Sequence, residues 1–378
     1  MLSDPNLKTA NATLIARIRK SFPGTDRDFT LDVEFTAPLG FTILFGASGS
    51  GKTTLLDCVA GIAAPQGRIA VGERVLLDSN AGIDVRVPQR GVGYVLQDLA
   101  LFPHLTVEQN VEYGLSHLSR PARRERSMAM LGEFRIDHLR QQRPSQISGG
   151  ERQRVALARS LVTDPCVLLL DEPLSALDAA TKSKIIDDLR RWNADHQIPI
   201  LYVTHSREEV IALGERVLVL EQGRLIAQGT PHQVLTAPLQ EAVAQLAGFE
   251  NIFEASVWLV HEDRGTLTCR LPGKTAGTSV LLETPLIRAE PGTRLRVGIR
   301  AGDILLAISK PDGLSARNVL PGHVVSLQRR DVVVFAIVDC GVEMQVQLTL
   351  AARDALQLKA GQPVWLVIKT YSCHLMRR

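Results

Sequence analysis

Residues 46–53 read Gly-Ala-Ser-Gly-Ser-Gly-Lys-Thr, and this string constrains the fold more than any other feature of the chain. It fits the pattern G-x-x-x-x-G-K-[ST], in which backbone N–H groups curl around a phosphate chain. An apolar run at 41–45 precedes it and a helix-forming run at 53–60 follows it. The strand–loop–helix order places phosphates at a helix N-terminus, where the dipole favours anions. These flanks disfavour the alternative interpretation, a plain glycine-rich turn.

The loop supplies the first set of candidate nucleotide-binding residues. They are Gly46, Ala47, Ser48, Gly49, Ser50, Gly51, Lys52, Thr53 and Thr54. Lys52 adds a positive charge toward the outer phosphates, and the hydroxyl of Thr53 is placed to bind Mg²⁺.

Bulk properties limit the class of protein. A chain of 378 residues can hold two or more domains. Its net charge of +3, with both signs mixed along the chain, gives no electrostatic case for a nucleic-acid partner. The five scattered cysteines predict buried thiols in a reducing cytosol. We see no signal peptide and no apolar run near the ~20 residues that span a bilayer, so we expect any membrane role to be peripheral.

The pattern of apolar residues changes near residue 250. Up to about Gly229, apolar strand-like runs alternate with amphipathic helical patterns, which predicts a parallel sheet covered on both faces. Beyond residue 250, strictly alternating segments such as 342–350 are separated by Gly and Pro. This second pattern predicts a small all-β domain made of one or two barrel-like modules.

Two adjacent carboxylates end the apolar run at 166–170. The carboxyl ends of parallel strands face the ligand crevice of an α/β sheet. We therefore expect Asp171 to help hold Mg²⁺ and Glu172 to polarise an attacking water. The alternative is a strand that ends in a solvated acidic turn.

A second candidate phosphate site begins at Ser148. The spacing Ser148-x-x-Glu151 is a capping box that opens a helix. The two intervening residues, Gly149 and Gly150, disfavour helix formation but would let bare N–H groups approach an anion. The local pattern leaves both interpretations open.

Two polar residues follow other predicted strands. Gln97 could touch Mg²⁺ and the attacking water, and His205 could hydrogen-bond a γ-phosphate. Taken alone, each is better explained as an ordinary polar residue at a strand end. A cap formed by Ser206 and Glu209 would explain the helix start after His205 without any catalysis.

Together these motifs resemble those of the nucleotide-binding subunit of ATP-binding-cassette (ABC) transporters, over about residues 10–235. The segments at 46–53, 167–172 and 147–151 resemble its Walker A, Walker B and signature sequences. Gln97, the segment at 175–178 that ends in Asp178, and His205 resemble its Q-loop, D-loop and switch histidine. The resemblance implies an α/β P-loop NTPase with a helical subdomain at about 98–160, working as a homodimer. Each ATP, with Mg²⁺, would lie between Walker A of one subunit and the signature of the other.

Two further assignments depend on this resemblance. Phe22 lies at about the distance before the loop at which the family places its adenine-stacking aromatic, although it also fits a core or loop residue. The segment 101–107 resembles the surface that receives a helix from the membrane subunit, although it also fits an apolar loop that packs internally.

The C-terminal region resembles the oligomer-binding-fold extension of importer ATPases. A module at about 312–377 is similar to molybdate-binding modules, and its candidate oxyanion-binding residues are Ser315, Ala316, Arg317, Asn318 and Lys369. Molybdate or tungstate would then be a regulatory ligand. A structural turn that binds nothing is the alternative for 315–318.

The resemblance predicts an ATP-hydrolysing subunit of a molybdate importer, peripheral on the cytoplasmic face of the bacterial inner membrane. Its implied partners are two copies of a transmembrane permease and, indirectly, a periplasmic oxyanion-binding protein. Importers of sulfate, iron or polyamines and a non-transport oxyanion sensor are the alternatives. A cassette protein of translation or DNA repair is disfavoured by the single phosphate loop and the lack of a coiled-coil insertion. We expect a nucleotide-binding domain at 1–235, a linker at 236–250 and a β domain at 251–378.

Overall fold

The chain divides into two compact units between Val234 and Leu235. The structure, a computed structural model, describes residues 12–23, 29–236, 238, 240–274 and 277–377. Residues 1–11, on which the expectation of no signal peptide depends, lie outside the described residues. None of the described helices is long and apolar enough to cross a bilayer.

The first unit is built on a single sheet with helices between its strands. Its strands are β1 (Leu14–Phe22), β2 (Phe29–Ala37), β3 (Gly40–Phe45), β4 (Gln66–Val71), β5 (Arg74–Asp78), β6 (Ile83–Asp84), β7 (Val92–Val95), β8 (Val167–Asp171), β9 (Pro199–Val203), β10 (Arg216–Glu221) and β11 (Arg224–Gly229). Its helices are α1 (Lys52–Ala60), α2 (Val107–Glu112), α3 (Arg120–Glu133), α4 (Gly149–Leu161), α5 (Ala179–His196) and α6 (Arg207–Leu213), and α7 (Pro231–Leu235) lies at the boundary.

The sheet is mixed rather than parallel. Its strand order is β6-β5-β4-β1-β2-β11-β10-β3-β9-β8-β7, and the neighbours from β10 to β7 run parallel. The prediction of a parallel sheet is right for that half and wrong for the other, because β1 pairs antiparallel with both β2 and β4. In β1 the buried Leu14, Ala16 and Ile18 alternate with exposed residues. Such alternation is typical of antiparallel strands that have one solvated face.

Helix α1 packs on the parallel half of the sheet. Its Leu55 and Leu56 are fully buried in the cluster that includes Leu44 and Leu169. The C-terminal end of α1 is held by Arg90, whose Nη1 donates to the carbonyls of Cys58 and Val59 at 3.2 and 2.9 Å. These contacts satisfy carbonyls at the C-terminal end of the helix that follows the phosphate loop.

The helices α2, α3 and α4 occupy the stretch predicted as a helical subdomain. Helix α4 is tied to α5 by Arg154, which hydrogen-bonds the buried carboxylate of Asp188 and also donates to the carbonyl of Phe134 at 3.0 Å. The two helices that begin at the predicted signature and D-loop motifs are therefore linked by a charged contact.

The second unit is a β fold with two short helices. Its strands are β12 (Asn251–His261), β13 (Thr266–Pro272), β14 (Ser279–Pro285), β15 (Arg294–Ile299), β16 (Ile304–Ala307), β17 (Asn318–Arg330), β18 (Val333–Asp339), β19 (Glu343–Thr349), β20 (Pro363–Ile368) and β21 (His374–Arg377), and its helices are α8 (Glu241–Leu246) and α9 (Leu350–Ala355). Helix α8 lies in the stretch predicted as a linker.

Two sheets share the core of this unit. Their strand orders are β14-β13-β12-β15-β21 and β16-β20-β17-β18-β19. Buried residues from both, such as Val257, Leu282, Val324 and Met344, belong to one hydrophobic cluster. Adjacent strands within each sheet are antiparallel, as the alternating sequence predicts.

Candidate active site

The phosphate loop connects β3 to α1, and its glycines serve different purposes. A Cβ at Gly46 would lie 2.2 Å from the carbonyl oxygen of Leu220, and one at Gly51 would lie 2.7 Å from the ring of Phe29. The fold itself therefore requires glycine at these two positions. Gly49 has a φ of +77° and nothing within 4 Å of an added Cβ, so its backbone faces open space.

Lys52 and Ser50 are the buried polar side chains of the loop. The Nζ of Lys52 donates to the carbonyls of Gly46 and Ala47 at 2.9 and 2.8 Å, which folds the loop around the ammonium group. Burial lowers the pKa of Lys52, while the nearby Glu172 opposes this shift. The hydroxyl of Ser50 is buried without a partner among the described residues. The side chains of Ala47, Ser48 and Thr53 are exposed, and that of Thr54 is half-buried.

Asp171 lies beside the loop at the end of β8. It pairs in register with Val203 of β9, which in turn pairs with Leu44 of β3. The Asp171 side chain is 4% exposed and hydrogen-bonds the side chain of Thr53. Burial raises the pKa of the Asp171 carboxyl, and the hydrogen bond with Thr53 opposes the rise.

Glu172 and His205 meet at the same edge. The Glu172 N–H donates to the Val203 carbonyl at 3.1 Å, and the residue adopts a φ of +43°. Its Oε2 lies 3.3 Å from Nδ1 of His205, whose side chain is 67% exposed. A left-handed conformation in a glutamate is a strained arrangement of the kind that clusters at active sites. In this pair, the carboxylate of Glu172 can accept a proton from water, and the imidazole of His205 can donate a hydrogen bond to an anion.

The helix after His205 is capped differently from the sequence-based prediction. Ser206 Oγ accepts a hydrogen bond from the N–H of Glu209 at 3.3 Å, so Ser206 is the N-cap. The carboxylate of Glu209 does not return the bond. It accepts hydrogen bonds from Thr204 and Tyr202 instead, at 2.7 and 2.9 Å. Sequence reasoning treated Glu209 as a cap residue and missed this buried role.

Gln97 is exposed just after β7. The turn that follows it has non-glycine residues in the left-handed region, with φ values of 63° at Leu99 and 41° at Ala100. Arg159 of α4 holds this turn by donating to the carbonyls of Leu99 and Ala100 at 2.8 and 2.6 Å. Sequence reasoning missed Arg159, because only its place on an amphipathic helix was visible.

The capping box predicted at Ser148 is present in full. The Ser148 N–H and hydroxyl both donate to Glu151 Oε2 at 2.7 Å, and Ser148 Oγ accepts from the Glu151 N–H at 3.4 Å. A Cβ at Gly149 would lie 3.5 Å from Leu177, whereas one at Gly150 would lie 2.6 Å from Thr181. The glycine at 150 thus has a packing reason, and that at 149 has none among the residues that the structure describes.

Asp178 is the N-cap of α5. Its Oδ1 accepts from the Thr181 N–H at 3.0 Å and its Oδ2 from the Thr181 hydroxyl at 2.7 Å. These bonds lower the pKa of the Asp178 carboxyl. The side chain is exposed and so remains open to solvent on its outer side.

Phe22 lies at the end of β1 beside another aromatic residue. Its ring centroid is 6.2 Å from that of Phe29, and Phe29 is the residue against which Gly51 packs. Phe22 itself is 39% exposed. An aromatic face is thereby placed near the start of α1.

The candidate oxyanion residues divide into a buried and an exposed set. Asn318 is buried, and its side chain accepts from the N–H of Glu283 at 2.6 Å and donates to the Glu283 carbonyl at 2.9 Å. That side chain joins β17 to β14 and is not free to bind a ligand. Ser315, Arg317 and Lys369 are exposed, and Ala316 is half-buried. Arg317 and Lys369 adjoin Asn318 and Ile368, which pair in register.

The structure thus joins Lys52, Thr53, Asp171, Glu172 and His205 at one edge of the sheet. The glycines of the second phosphate motif approach the region of Leu177 and Thr181 instead. One chain therefore presents two separate helix N-termini with bare amides.

Comparison with known proteins identifies the family. The chain matches the ABC transporter family over residues 31–175 and the TOBE domain over residues 314–375. It is 41% identical over 356 residues to the molybdenum import ATP-binding protein ModC of Rhizobium meliloti, covering 90% of this chain and 95% of that protein. The chain belongs to the ABC transporter ATP-binding family. ModC 1 of Azotobacter vinelandii is 38% identical to this ABC protein over 364 residues, covering 94% and 96% of the two chains.

Solved structures support the same assignment for the first unit. The dimeric MJ0796 cassette, described as a bacterial ABC transporter cassette, superposes with a TM-score of 0.51 at 27% identity, covering 58% of this chain and 98% of that one. A second dimeric MJ0796 structure, in a post-hydrolysis state with ADP and Pi, gives a TM-score of 0.50 at 28% identity, with the same coverage. The predicted fold class, a P-loop cassette followed by an all-β domain, is confirmed.

Proposed function

We propose that this ABC ATPase hydrolyses ATP to energise molybdate uptake, acting on the cytoplasmic face of the bacterial inner membrane. The observation that carries the proposal is the similarity to ModC proteins across both units, over 90% or more of the chain. A relationship confined to the cassette would not separate molybdate from sulfate, iron or polyamine importers.

The phosphate loop is proposed to bind the ATP phosphates. The support is the open space beside Gly49 and the buried Ser50 hydroxyl, which has no partner among the described residues and could donate to a phosphate. Lys52 would exchange its two loop carbonyls for phosphate oxygens, a change that its burial favours because the new partner is charged. Phe22 would stack on the adenine.

The residues at the start of α1 and at two strand ends fit Mg²⁺. A hydroxyl from Thr53, a carboxylate from Asp171 and an amide oxygen from Gln97 are the hard oxygen ligands that this ion prefers. The hydrogen bond between Thr53 and Asp171 already holds two of the three together. Bound there, Mg²⁺ would neutralise phosphate charge during phosphoryl transfer.

Glu172 and His205 are proposed to act on the γ-phosphate side of the nucleotide. Glu172 accepts a proton from the attacking water, and His205 donates a hydrogen bond to a γ-phosphate oxygen. Because the two side chains are in contact, each restricts the orientation of the other. Gln97 would orient the same water.

The protein is proposed to work as a homodimer, as the MJ0796 cassettes do in their dimeric structures. Ser148, Gly149 and Gly150 would bind the ATP held by the partner subunit's phosphate loop. The support is that a Cβ at residue 149 would meet only ordinary contacts among the described residues, so packing there does not require glycine. Asp178 would face the partner at the same interface.

The segment 101–107 is proposed to receive a helix of the permease, two copies of which would pair with the ATPase dimer. Buried Asn110 shapes this segment by bonding the backbone of Phe102, Leu105 and Thr106. Phe102 contacts the 61% exposed Tyr113 at 4.4 Å between ring centroids, which leaves an aromatic surface for a partner. A periplasmic binding protein would deliver molybdate to the permease.

Ser315, Ala316, Arg317 and Lys369 are proposed to form a regulatory oxyanion site for molybdate or tungstate. The support is their exposure and the positive charge of Arg317 and Lys369 at adjoining strand ends. Asn318 would contribute only by fixing the backbone of the turn.

Radiolabelled uptake tests the proposed substrate directly. Cells that lack this ATPase should take up molybdate when the wild-type gene is restored, and excess sulfate should not abolish the uptake. Restored sulfate, iron or polyamine uptake without molybdate uptake would contradict the substrate while leaving the importer ATPase in place.

A further inference from the structure

Helix α6 carries a buried glutamate that none of the proposed roles uses. Glu209 is 4% exposed, and a buried carboxylate is costly unless it is hydrogen-bonded. Its Oε2 accepts from the hydroxyls of Thr204 and Tyr202, and its Oε1 accepts from Nζ of Lys182 at 3.1 Å. All three partners belong to the first unit: Tyr202 lies on β9, Thr204 follows that strand directly, and Lys182 lies on α5.

These contacts enclose the corner at which His205 lies. Thr204 Oγ1 donates to Glu209 at 2.7 Å and accepts from the Ser206 N–H at 3.0 Å. Ser206 Oγ in turn accepts from the Glu209 N–H at 3.3 Å. Both chain neighbours of His205 are therefore held by Glu209, one through its side chain and one through its backbone.

A second motif in the same chain shows what this glutamate would do as a simple cap. Ser148 and Glu151 have the same spacing as Ser206 and Glu209, and there the glutamate accepts the serine N–H at 2.7 Å. Glu209 instead turns inward, and the Ser206 N–H goes to Thr204. Glu209 therefore does not complete a capping box, and its carboxylate instead supports the end of β9 through Thr204 and Tyr202.

Lys182 connects this support to the start of α5. The neighbouring Thr181 packs against Gly150 and hydrogen-bonds Asp178. Thr181, in the first turn of α5, thus contacts the second phosphate motif. Lys182, the residue after it, donates a hydrogen bond to Glu209. A short path of direct contacts joins the signature glycines to the His205 corner.

We propose that Glu209 is a positioning residue for ATP hydrolysis, holding His205 toward the γ-phosphate from the buried side. Lys182 ties this support to α5, which also bears the contacts of the signature motif. The inference rests on the proposed ATPase function and adds a residue to it.

The test is the ATPase kinetics of Glu209→Gln, which keeps the shape of the side chain but loses the charge that Lys182 contacts. A small displacement of a reacting group lowers turnover steeply, so kcat should fall about 10- to 100-fold while KM for ATP changes less than about twofold. Rates are expressed per ATP-binding site, measured by calorimetric stoichiometry, so that misfolded protein does not count. The matched control is Glu208→Gln, an exposed glutamate on the same helical turn.

A double-mutant cycle separates positioning from general stability. In a His205→Ala background, Glu209→Gln should lower kcat no further, because its effect acts through the missing imidazole. An undiminished additional loss in that background would overturn the inference. If Glu209→Gln does not fold, Thr204→Val replaces it, and Thr204→Ser, which keeps the hydroxyl, should retain wild-type kcat.

The outcomes distinguish this inference from the proposed function. Wild-type protein without ATPase activity would overturn both. An active wild type with Glu209→Gln, or its Thr204→Val replacement, within twofold of its kcat would overturn the positioning role alone.

Discussion

Nδ1 of His205 lies 3.3 Å from Oε2 of Glu172. The contact joins the ends of two neighbouring parallel strands, because Asp171 of β8 pairs with Val203 of β9. The proposed general base and the proposed phosphate-binding donor thus hold each other at the edge where the phosphate loop also begins.

Replacing the proposed base should stop turnover without preventing ATP binding. Glu172→Gln removes the group that accepts the proton from water and keeps its size, so kcat should fall by about 10²–10⁴-fold. The ATP-bound protein should accumulate as a dimer. Steady-state ATPase assays and size-exclusion chromatography with ATP measure the two effects.

The control for this substitution is again Glu208→Gln, which should retain wild-type turnover because residue 208 is exposed and makes no proposed contact with nucleotide. Continued turnover by Glu172→Gln would remove Glu172 from the role of base.

A methyl group at Gly149 should damage function without damaging the fold. An added Cβ there meets only ordinary contacts, and alanine favours a helix, so the melting temperature should be unchanged or higher. ATPase activity should still fall at least about 10-fold, because the methyl group would keep the phosphate of the partner's ATP away from the amide, and complete loss of such a donor costs about 10²–10³-fold. Differential scanning fluorimetry and ATPase assays read the two properties separately.

Gly132→Ala is the matched control for this change. Gly132 lies in helix α3 with nothing within 4 Å of an added Cβ. Alanine should stabilise the protein by about 0.5–1 kcal/mol there and leave ATPase activity unchanged. Full activity in Gly149→Ala would favour the plain cap interpretation of 148–151.

The raised pKa of Asp171 predicts a pH-dependent stability difference. Because the folded protein binds this proton more tightly than the unfolded chain, the contribution of Asp171 to stability is greatest at low pH and is lost as the pH rises through the raised pKa. Nucleotide-free Asp171→Asn should therefore be more stable than wild type at neutral pH. The difference should shrink toward zero near pH 4, about the ordinary aspartate pKa.

Denaturant unfolding between about pH 4 and pH 8 measures this difference. Thr53→Val, which removes the hydrogen bond that opposes the rise, should raise the pKa of Asp171 further. A stability difference that grows toward low pH would contradict the assignment.

Molybdate binding should depend on the exposed part of the C-terminal turn. Ser315→Ala and Lys369→Met should weaken molybdate binding to the full-length protein about 10-fold each, because a hydrogen bond to a charged group contributes about 1.5–3 kcal/mol. Lys359→Met, an exposed lysine of the same unit, is the control and should change nothing. Calorimetry with molybdate, tungstate and sulfate measures the affinities. If the control Lys359→Met changed molybdate affinity as much as Ser315→Ala and Lys369→Met do, the result would argue against a site here.

Asn318→Ala should act differently from its neighbours. It leaves the N–H and carbonyl of Glu283 without their partner, and a buried unsatisfied group costs about 1–3 kcal/mol. We expect a lower melting temperature of the protein, measured by calorimetry, whether or not molybdate is present.

The sequence predicted those parts of the fold that local pattern encodes. The run at 41–45 became β3, and the alternating run at 342–350 became β19, because apolar periodicity reflects which faces are buried. The antiparallel half of the first sheet was missed. The partners of its strand β1 are fixed by long-range pairing, which no short sequence pattern shows.

The candidate site shows the same division. Motif residues such as Lys52 and Asp171 could be proposed from the sequence because their chemistry requires a fixed local spacing. Arg159 and Glu209 were missed because they act through residues distant in sequence or through an inward rotamer. For Glu209, the capping pattern predicted the backbone bond correctly and the direction of the carboxylate wrongly.

The structure of Glu172→Gln with ATP and Mg²⁺ tests the central claim most directly. We predict a dimer in which the amide nitrogens of Gly149 and Gly150 lie within about 3.2 Å of γ-phosphate oxygens of the ATP bound to the partner's phosphate loop. An ATP-loaded structure in which these amides lie far from every triphosphate would contradict it.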